Sequence, residues 1–124
     1  MNPNYTDAYN NRSLIYKNQN KFDLALDDYN RAIAINPNLA IAYNNRGIIY
    51  KNQKKYDLAM ADYNRAIAID SNHANAYYNR GLVWRKLGNK QKAIEDLKIA
   101  AELYKKQDNM ARYQQAMKDL AQLE

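Results

Sequence analysis

Three side-chain types recur in this chain at a spacing of 34 residues: an amide at Asn11, Asn45 and Asn79, an aliphatic group at Leu14, Ile48 and Leu82, and a cation at Lys17, Lys51 and Arg85. An asparagine carries a donor and an acceptor together, so it pairs with the backbone C=O and N–H of another chain without reading its side chains. The aliphatic row offers hydrophobic contact and the cationic row attracts carboxylates. Such rows suit noncovalent recognition of an extended peptide. Bond-making chemistry has little to work with. The single histidine, His73, sits in a turn, and there is no glycine-rich phosphate loop, no HExxH and no nucleophile motif. Asp27-Asp28 and Glu95-Asp96 read as solvated helix faces, because an acid/base pair needs opposed environments to separate its pKa values. The expectation is a chain that is not an enzyme and needs no cofactor or metal.

Composition narrows the class further. Cysteine is absent from the 124 residues, which excludes disulfides and thiolate metal sites. No apolar run approaches the roughly 20 residues that span a bilayer, and Met1–Tyr5 lacks the basic and apolar regions of a signal peptide. A soluble, cytoplasmic protein without a membrane partner is the default expectation. Abundant Asn, Lys, Ile and Tyr with only 3 Gly and 2 Pro favour helices over disorder.

The elements that position the three rows follow from the period itself. Thr6–Leu39 laid over Ala40–His73 leaves 11 differences and hence 23 identities in 34 positions, and Ala74–Gln107 is a third, more divergent copy. A period of this length means stacked supersecondary units. Each copy divides into two helical segments. In the first, Tyr9, Ser13 and Tyr16 recur as Tyr43, Gly47 and Tyr50 and as Tyr77, Gly81 and Trp84, a spacing of four and then three that defines one helical face. In the second, Phe22, Ala25, Tyr29 and Ala32 recur as Tyr56, Ala59, Tyr63 and Ala66, then as Lys90, Ala93, Leu97 and Ala100. Small side chains alternating with large ones suit helices that cross closely. Asn20-Lys21, Lys54-Lys55 and Gly88-Asn89 are turns, and Asn36-Pro37 ends the second helix of the first copy. Residues 108–124 do not repeat. Met110, Tyr113, Met117, Leu120 and Leu123 form an apolar stripe, with Asp108 placed to cap a terminal helix that covers the end of the array. The domain plan is one repeat domain over 1–124: repeats at 6–39, 40–73 and 74–107, a capping helix at 108–124, and at 1–5 the tail of a preceding repeat, since Asn2-Pro3-Asn4 aligns with Asn36-Pro37-Asn38.

The pattern resembles the tetratricopeptide repeat, whose signature is an aromatic, Leu-Gly, Tyr, Ala, an aromatic and Pro across 34 residues. The middle copy supplies Tyr43, Arg46-Gly47, Tyr50, Ala59, Tyr63 and Ala66. The first supplies Tyr9, Arg12-Ser13, Tyr16, Ala25, Tyr29, Ala32 and Pro37. Arg replaces Leu throughout, and Ser71 stands where Pro is expected in the middle copy. The resemblance implies an all-α fold, a right-handed superhelical solenoid of antiparallel helix pairs, with the first helices lining a concave groove.

At about 100° per residue, the side chains across from Tyr43, Gly47 and Tyr50 are Ile41, Asn44, Asn45, Ile48, Lys51 and Asn52. Their counterparts are Asp7, Asn10, Asn11, Leu14, Lys17 and Asn18, and then Asn75, Tyr78, Asn79, Leu82, Arg85 and Lys86. These are the candidate groove residues. Arg12, Arg46 and Arg80 recur in step with Asp28, Asp62 and Asp96, which assigns them to ion pairs inside each repeat. The first-helix segments carry seven cations against Asp7 alone, a balance of +6 that equals the net charge of the whole chain. Setting aside the three paired arginines leaves Lys17, Lys51, Arg85 and Lys86 facing the groove, and a basic groove favours an acidic peptide or protein ligand. With repeats about 10 Å apart and about 3.3 Å per extended residue, three repeats span roughly six to nine ligand residues. Chaperone-binding members of the family hold a terminal carboxylate with two Lys, two Asn and one Arg. The corresponding positions here are Asn10, Leu14, Asn45, Asn75 and Asn79, of which only Asn45 matches, so that clamp is not expected.

The leading expectation is therefore an interaction scaffold binding an extended acidic segment. The alternative is self-assembly into a homo-oligomer through the open end of the first repeat, near Tyr5, Tyr9 and Leu24. Nucleic acid ranks below both, because Tyr78 is the lone aromatic platform in the groove.

Overall fold

A computed structural model of the chain describes the backbone from Pro3 and the side chains from Ala8 onward. Among the described residues every regular element is a helix: α1 (Pro3–Asn18), α2 (Phe22–Ile35), α3 (Ala40–Asn52), α4 (Tyr56–Ile69), α5 (Ala74–Lys86), α6 (Lys90–Lys106) and α7 (Met110–Leu123). None is long and apolar enough to cross a membrane. The chain forms two compact units, Met1–Ile69 and Asp70–Glu124. In the first, α1 packs on α2, α3 on α4, and α2 on α3; in the second, α5 packs on α6 and α6 on α7.

The turns behave as their residues dictate. Asn20, Lys54 and Gly88 close the first helix of each repeat with φ of 60°, 62° and 84°, the left-handed geometry that frees a helix's last carbonyls to find donors. Between repeats, the side chain of Asn36 accepts from the Asn38 amide at 3.1 Å, and Asp70 does the same for Asn72 at 3.0 Å. Such side-chain turns compete with helix and stop it. Of the segment expected to be a repeat tail, Met1 and Asn2 lie outside the described residues, and Pro3 to Tyr5 form the first turn of α1.

The core is the small-large-small pattern of the second helices. Ala25, Tyr29 and Ala32, their counterparts Ala59, Tyr63 and Ala66, and then Ala93, Leu97 and Ala100 are all fully buried. Gly47 exists because Tyr63 presses on it: a Cβ there would stand 2.6 Å from Tyr63 Cε1. Ser13 holds the equivalent place in the first repeat, fully buried, with its hydroxyl donating to the Asn10 carbonyl at 2.6 Å.

A second buried face escapes the sequence reading. Ala42 and Ile49 are fully buried and join Ala25 and Tyr29 in one cluster, flanked by Leu26, Ile33 and Leu39 of the preceding repeat. This is how one repeat seats on the next. Ile15, the counterpart of Ile49 on α1, is 56% exposed, because no described helix lies on that side of it.

The terminal helix differs from expectation in two respects. Its cap is Asn109, whose side chain accepts from the Arg112 amide at 3.2 Å, while Asp108 adopts φ 57° and terminates α6. Its apolar stripe also divides: Ala116 and Leu120 are buried, whereas Met110 and Met117 remain 48% and 44% exposed.

Candidate functional site

The first helix of the second repeat, α3, is hemmed in by α4 of its own repeat and α2 of the one before. The arc left to solvent is correspondingly narrow. On α3 it holds Ile41, 46% exposed, the half-exposed Ile48 and the exposed Asn52, which lie within about 40° of one another at 100° per residue. On α1 the same arc holds Asn11 and Asn18, both exposed, and the half-buried Leu14. α1 and α3 touch, so the two stripes lie on neighbouring helices. Lys17 and Lys51 stand at their edge, both half-buried, and burial pushes the Lys17 ammonium below the usual lysine range.

The asparagines do not behave as one row. Asn11 is exposed, but Asn45 and Asn79 are buried, as are Asn10 and Asn44 one position earlier. The Asn45 side chain lies beside the buried Tyr29 hydroxyl together with Ser13, although that hydroxyl completes no hydrogen bond to a described residue. Burial raises the Tyr29 phenol pKa, and Ser13 and Asn45 pull it back. The Asn10 Oδ1 is buried without a hydrogen-bond partner among the described residues. These amides belong to the seams between helices. The open amides are Asn11, Asn18 and Asn52.

In the second unit, α5 contributes the exposed Asn75 and Lys86 and the half-buried Leu82. The Asn75 side chain accepts from the Tyr104 hydroxyl. Tyr78 and Arg85, expected in the groove, turn to the terminal helix instead. The Tyr78 hydroxyl donates to Asp119 at 2.5 Å, its ring meets Tyr104 edge to face at 6.3 Å, and Arg85 comes within 4.0 Å of the same carboxylate. Burial and Asp119 together push the Tyr78 phenol up. Tyr78 is therefore no free stacking platform.

The arginine row is placed as the repeat pattern predicts. Arg12 donates to both oxygens of Asp28 at 2.7 Å, Arg46 to Asp62 at 2.7 and 2.9 Å, and Arg80 to Asp96 at 2.7 and 2.8 Å. Each fork is bidentate, the geometry in which guanidinium and carboxylate bind most strongly. The pattern also carries a stack that sequence reasoning missed. The Tyr9 ring lies near both Arg12 and Arg31, at 5.6 and 5.7 Å, and Tyr43 near Arg46 and Arg65, at 5.6 and 6.0 Å. Arg31 and Arg65 recur at the same period, which was the available signal. Ile99 occupies that place in the third repeat, and Tyr77 there meets Arg80 at 5.5 Å. Tyr9, named for a self-assembly contact, is thus engaged within its own repeat. Leu24 is 46% exposed, and the Tyr5 side chain lies outside the described residues.

Among solved structures, the first tetratricopeptide domain of Spaghetti (RPAP3), bound to the HSP90 peptide SRMEEVD, is 24% identical. It aligns with a TM-score of 0.86 over 99% of this chain and 93% of that one. The second such domain of the same protein, bound to the same peptide, is 26% identical with a TM-score of 0.77 over 82% and 94%. The TPR2B domain of yeast Sti1, in a complex with an Hsp70 peptide, is 20% identical with a TM-score of 0.89 over 96% and 95%. The comparison with curated proteins returns no significant match. At the level of sequence, the tetratricopeptide repeat model matches residues 40–73 and 74–107, and a further TPR repeat model matches 13–54. The paired helices, the small-large-small cores and these matches lead to one conclusion: the chain belongs to the tetratricopeptide repeat family.

Proposed function

We propose that this protein is a noncatalytic interaction scaffold that binds an extended, acidic segment of a partner protein along α1 and α3, the first helices of its first two repeats. The observation that carries the reading is the solvent-open stripe of Asn11, Leu14, Asn18, Ile41, Ile48 and Asn52 on α1 and α3, edged by Lys17 and Lys51. It combines open amides for a peptide backbone, aliphatic groups for side chains and cations for carboxylates. The similar Spaghetti domains hold an acidic peptide, SRMEEVD, which supports the ligand class. Recognition here rests on the body of the segment and not on its terminus, because of the terminal-carboxylate clamp only Asn45 is matched, and Asn45 is buried.

Titration of fluorescein-labelled SRMEEVD, as free acid and as C-terminal amide, tests this directly. Both forms bind with affinities within about threefold of each other and weaken as salt rises, since exposed charge pairs are screened over about 10 Å at 0.1 M salt. The double variant Ile48→Glu/Lys51→Glu loses about tenfold or more, equivalent to about 1.4 kcal/mol. Equal binding by that variant, or no binding by the parent protein at low salt, overturns the proposal.

A further inference from the structure

The exposed Met117 of α7 borders a cleft of about 530 Å³ between α6 and α7. Its floor is apolar, formed by Ala101, Tyr113, Met117 and Ala121, and its ends are charged, Lys105 near one and Glu124 near the other. In a monomer Met117 is 44% exposed. A terminal helix that served only to shield the array would carry a polar outer face. Here it leaves large apolar side chains in water beside small ones that form holes.

We infer that this cleft is a self-association site in which α7 of a second copy lies antiparallel to α7 of the first. The occupant is argued from the helix's own complementarity. With a two-fold axis placed at Met117, the exposed methionine near the middle of Met110–Leu123, position i of one copy faces 234 minus i of the other. Met117 meets Met117, and Tyr113, a large knob, meets Ala121, a small hole. The same operation handles the charges. Lys105 lies over Tyr113 at 5.8 Å, so it comes to the end where the other copy presents Ala121 and Glu124. Among the described residues the Glu124 carboxylate makes one long contact, 4.0 Å from Lys98, and both side chains are more than half exposed. Lys105 and Glu124 therefore pair across the axis twice. A contact of one helix on one cleft is small, so the dimer is weak and concentration-dependent.

Sedimentation equilibrium of the full chain from about 10 µM to about 1 mM, at low salt, reads the result. The weight-average mass rises from 14.5 kDa toward twice that value. Met117→Glu holds the mass at the monomer value across the range, with an unchanged far-UV circular dichroism spectrum. Lys105→Glu weakens association about tenfold, and Lys105→Glu/Glu124→Lys restores it to within threefold of the parent. A parent protein that stays at the monomer mass overturns the inference. So does a dimer indifferent to Met117→Glu but abolished by Ile15→Glu, or a charge swap that fails to restore association.

Discussion

Gly47 provides the sharpest test of how these repeats pack. An added Cβ would stand 2.6, 3.0 and 3.1 Å from Cε1, Cδ1 and Cζ of Tyr63, whose ring is fully buried. Carbon atoms sit comfortably at about 3.5–4.0 Å, so the ring must move by about 1 Å. At Gly81 the nearest atom is Leu97 Cγ at 3.1 Å, with the Ala93 carbonyl and Asp96 Cβ at 3.3 Å, and a few tenths of an ångström suffice. Removing glycine from a helix interior contributes about 1 kcal/mol at either site, while overpacking a core costs about 1–3 kcal/mol. Gly81→Ala should then fall within about 1 kcal/mol of the parent, and Gly47→Ala should be less stable than Gly81→Ala by about 1 kcal/mol or more. Ser13 bounds the penalty, because the first repeat accommodates a Cβ and a hydroxyl at this place beside the buried Tyr29. Valine at 47 adds two methyl groups without a comparable helix gain, and should cost more than about 3 kcal/mol. Urea unfolding followed by circular dichroism resolves these differences, since 1 kcal/mol moves the midpoint by about 0.3–1 M. If Gly47→Ala is as stable as Gly81→Ala, or Gly47→Val matches the parent, the account of Tyr63 pressing on α3 is wrong.

Three further outcomes are expected. Lys54 holds φ 62°, so Lys54→Gly should raise the thermal midpoint by a few degrees, about 0.5–1 kcal/mol, whereas Gly88→Ala at φ 84° should lower it. Asp62→Ala should destabilise by about 1–3 kcal/mol, because it removes both carboxylate acceptors from a guanidinium that is largely buried and leaves it the Asn30 amide oxygen at 2.8 Å. Asp28→Ala should cost less than Asp62→Ala, since the Arg12 side chain is 50% exposed against 20% for Arg46; the reverse order in urea midpoints would contradict the pairing argument. Burial pushes the His73 imidazole below its ordinary value, outweighing the pull of Asp70. The unfolded chain then binds more protons between that lowered value and about 6.5, so stability falls as pH drops through the window. His73→Gln should flatten that part of a urea-midpoint profile between about pH 7.5 and 5.

The repeat period carries most of the fold, because any feature within one repeat is written three times. The ion pairs, the turns and the Ala-Tyr-Ala cores are all short-range in this sense and could be read from single copies aligned. Ala42 and Ile49 could not be read that way, since their partners Leu26, Ile33 and Leu39 sit in the previous copy. The same omission misplaced the asparagines. A helical wheel divides α3 into two faces, but a helix wedged between neighbours has three packed sectors, so Asn44 and Asn45 fall in seams. Tyr78 and Arg85 were misread for a related reason: Asp119, which captures both, belongs to the nonrepeating terminus, where the period gives no guidance. Asp108 was chosen as a cap by residue type alone. The following Asn109 has the geometry, and a left-handed Asp at a helix end is equally ordinary.

Trp84 carries a practical consequence. It is the chain's one tryptophan, it lies on α5, and Lys92 from α6 stands over its ring at 4.5 Å. Its emission reports the Asp70–Glu124 unit to which it belongs, while helical circular dichroism reports both units in proportion to their length. Coincident curves from the two signals would mark a single cooperative transition. Separated curves would show that neighbouring repeats in one short array can melt as distinct bodies.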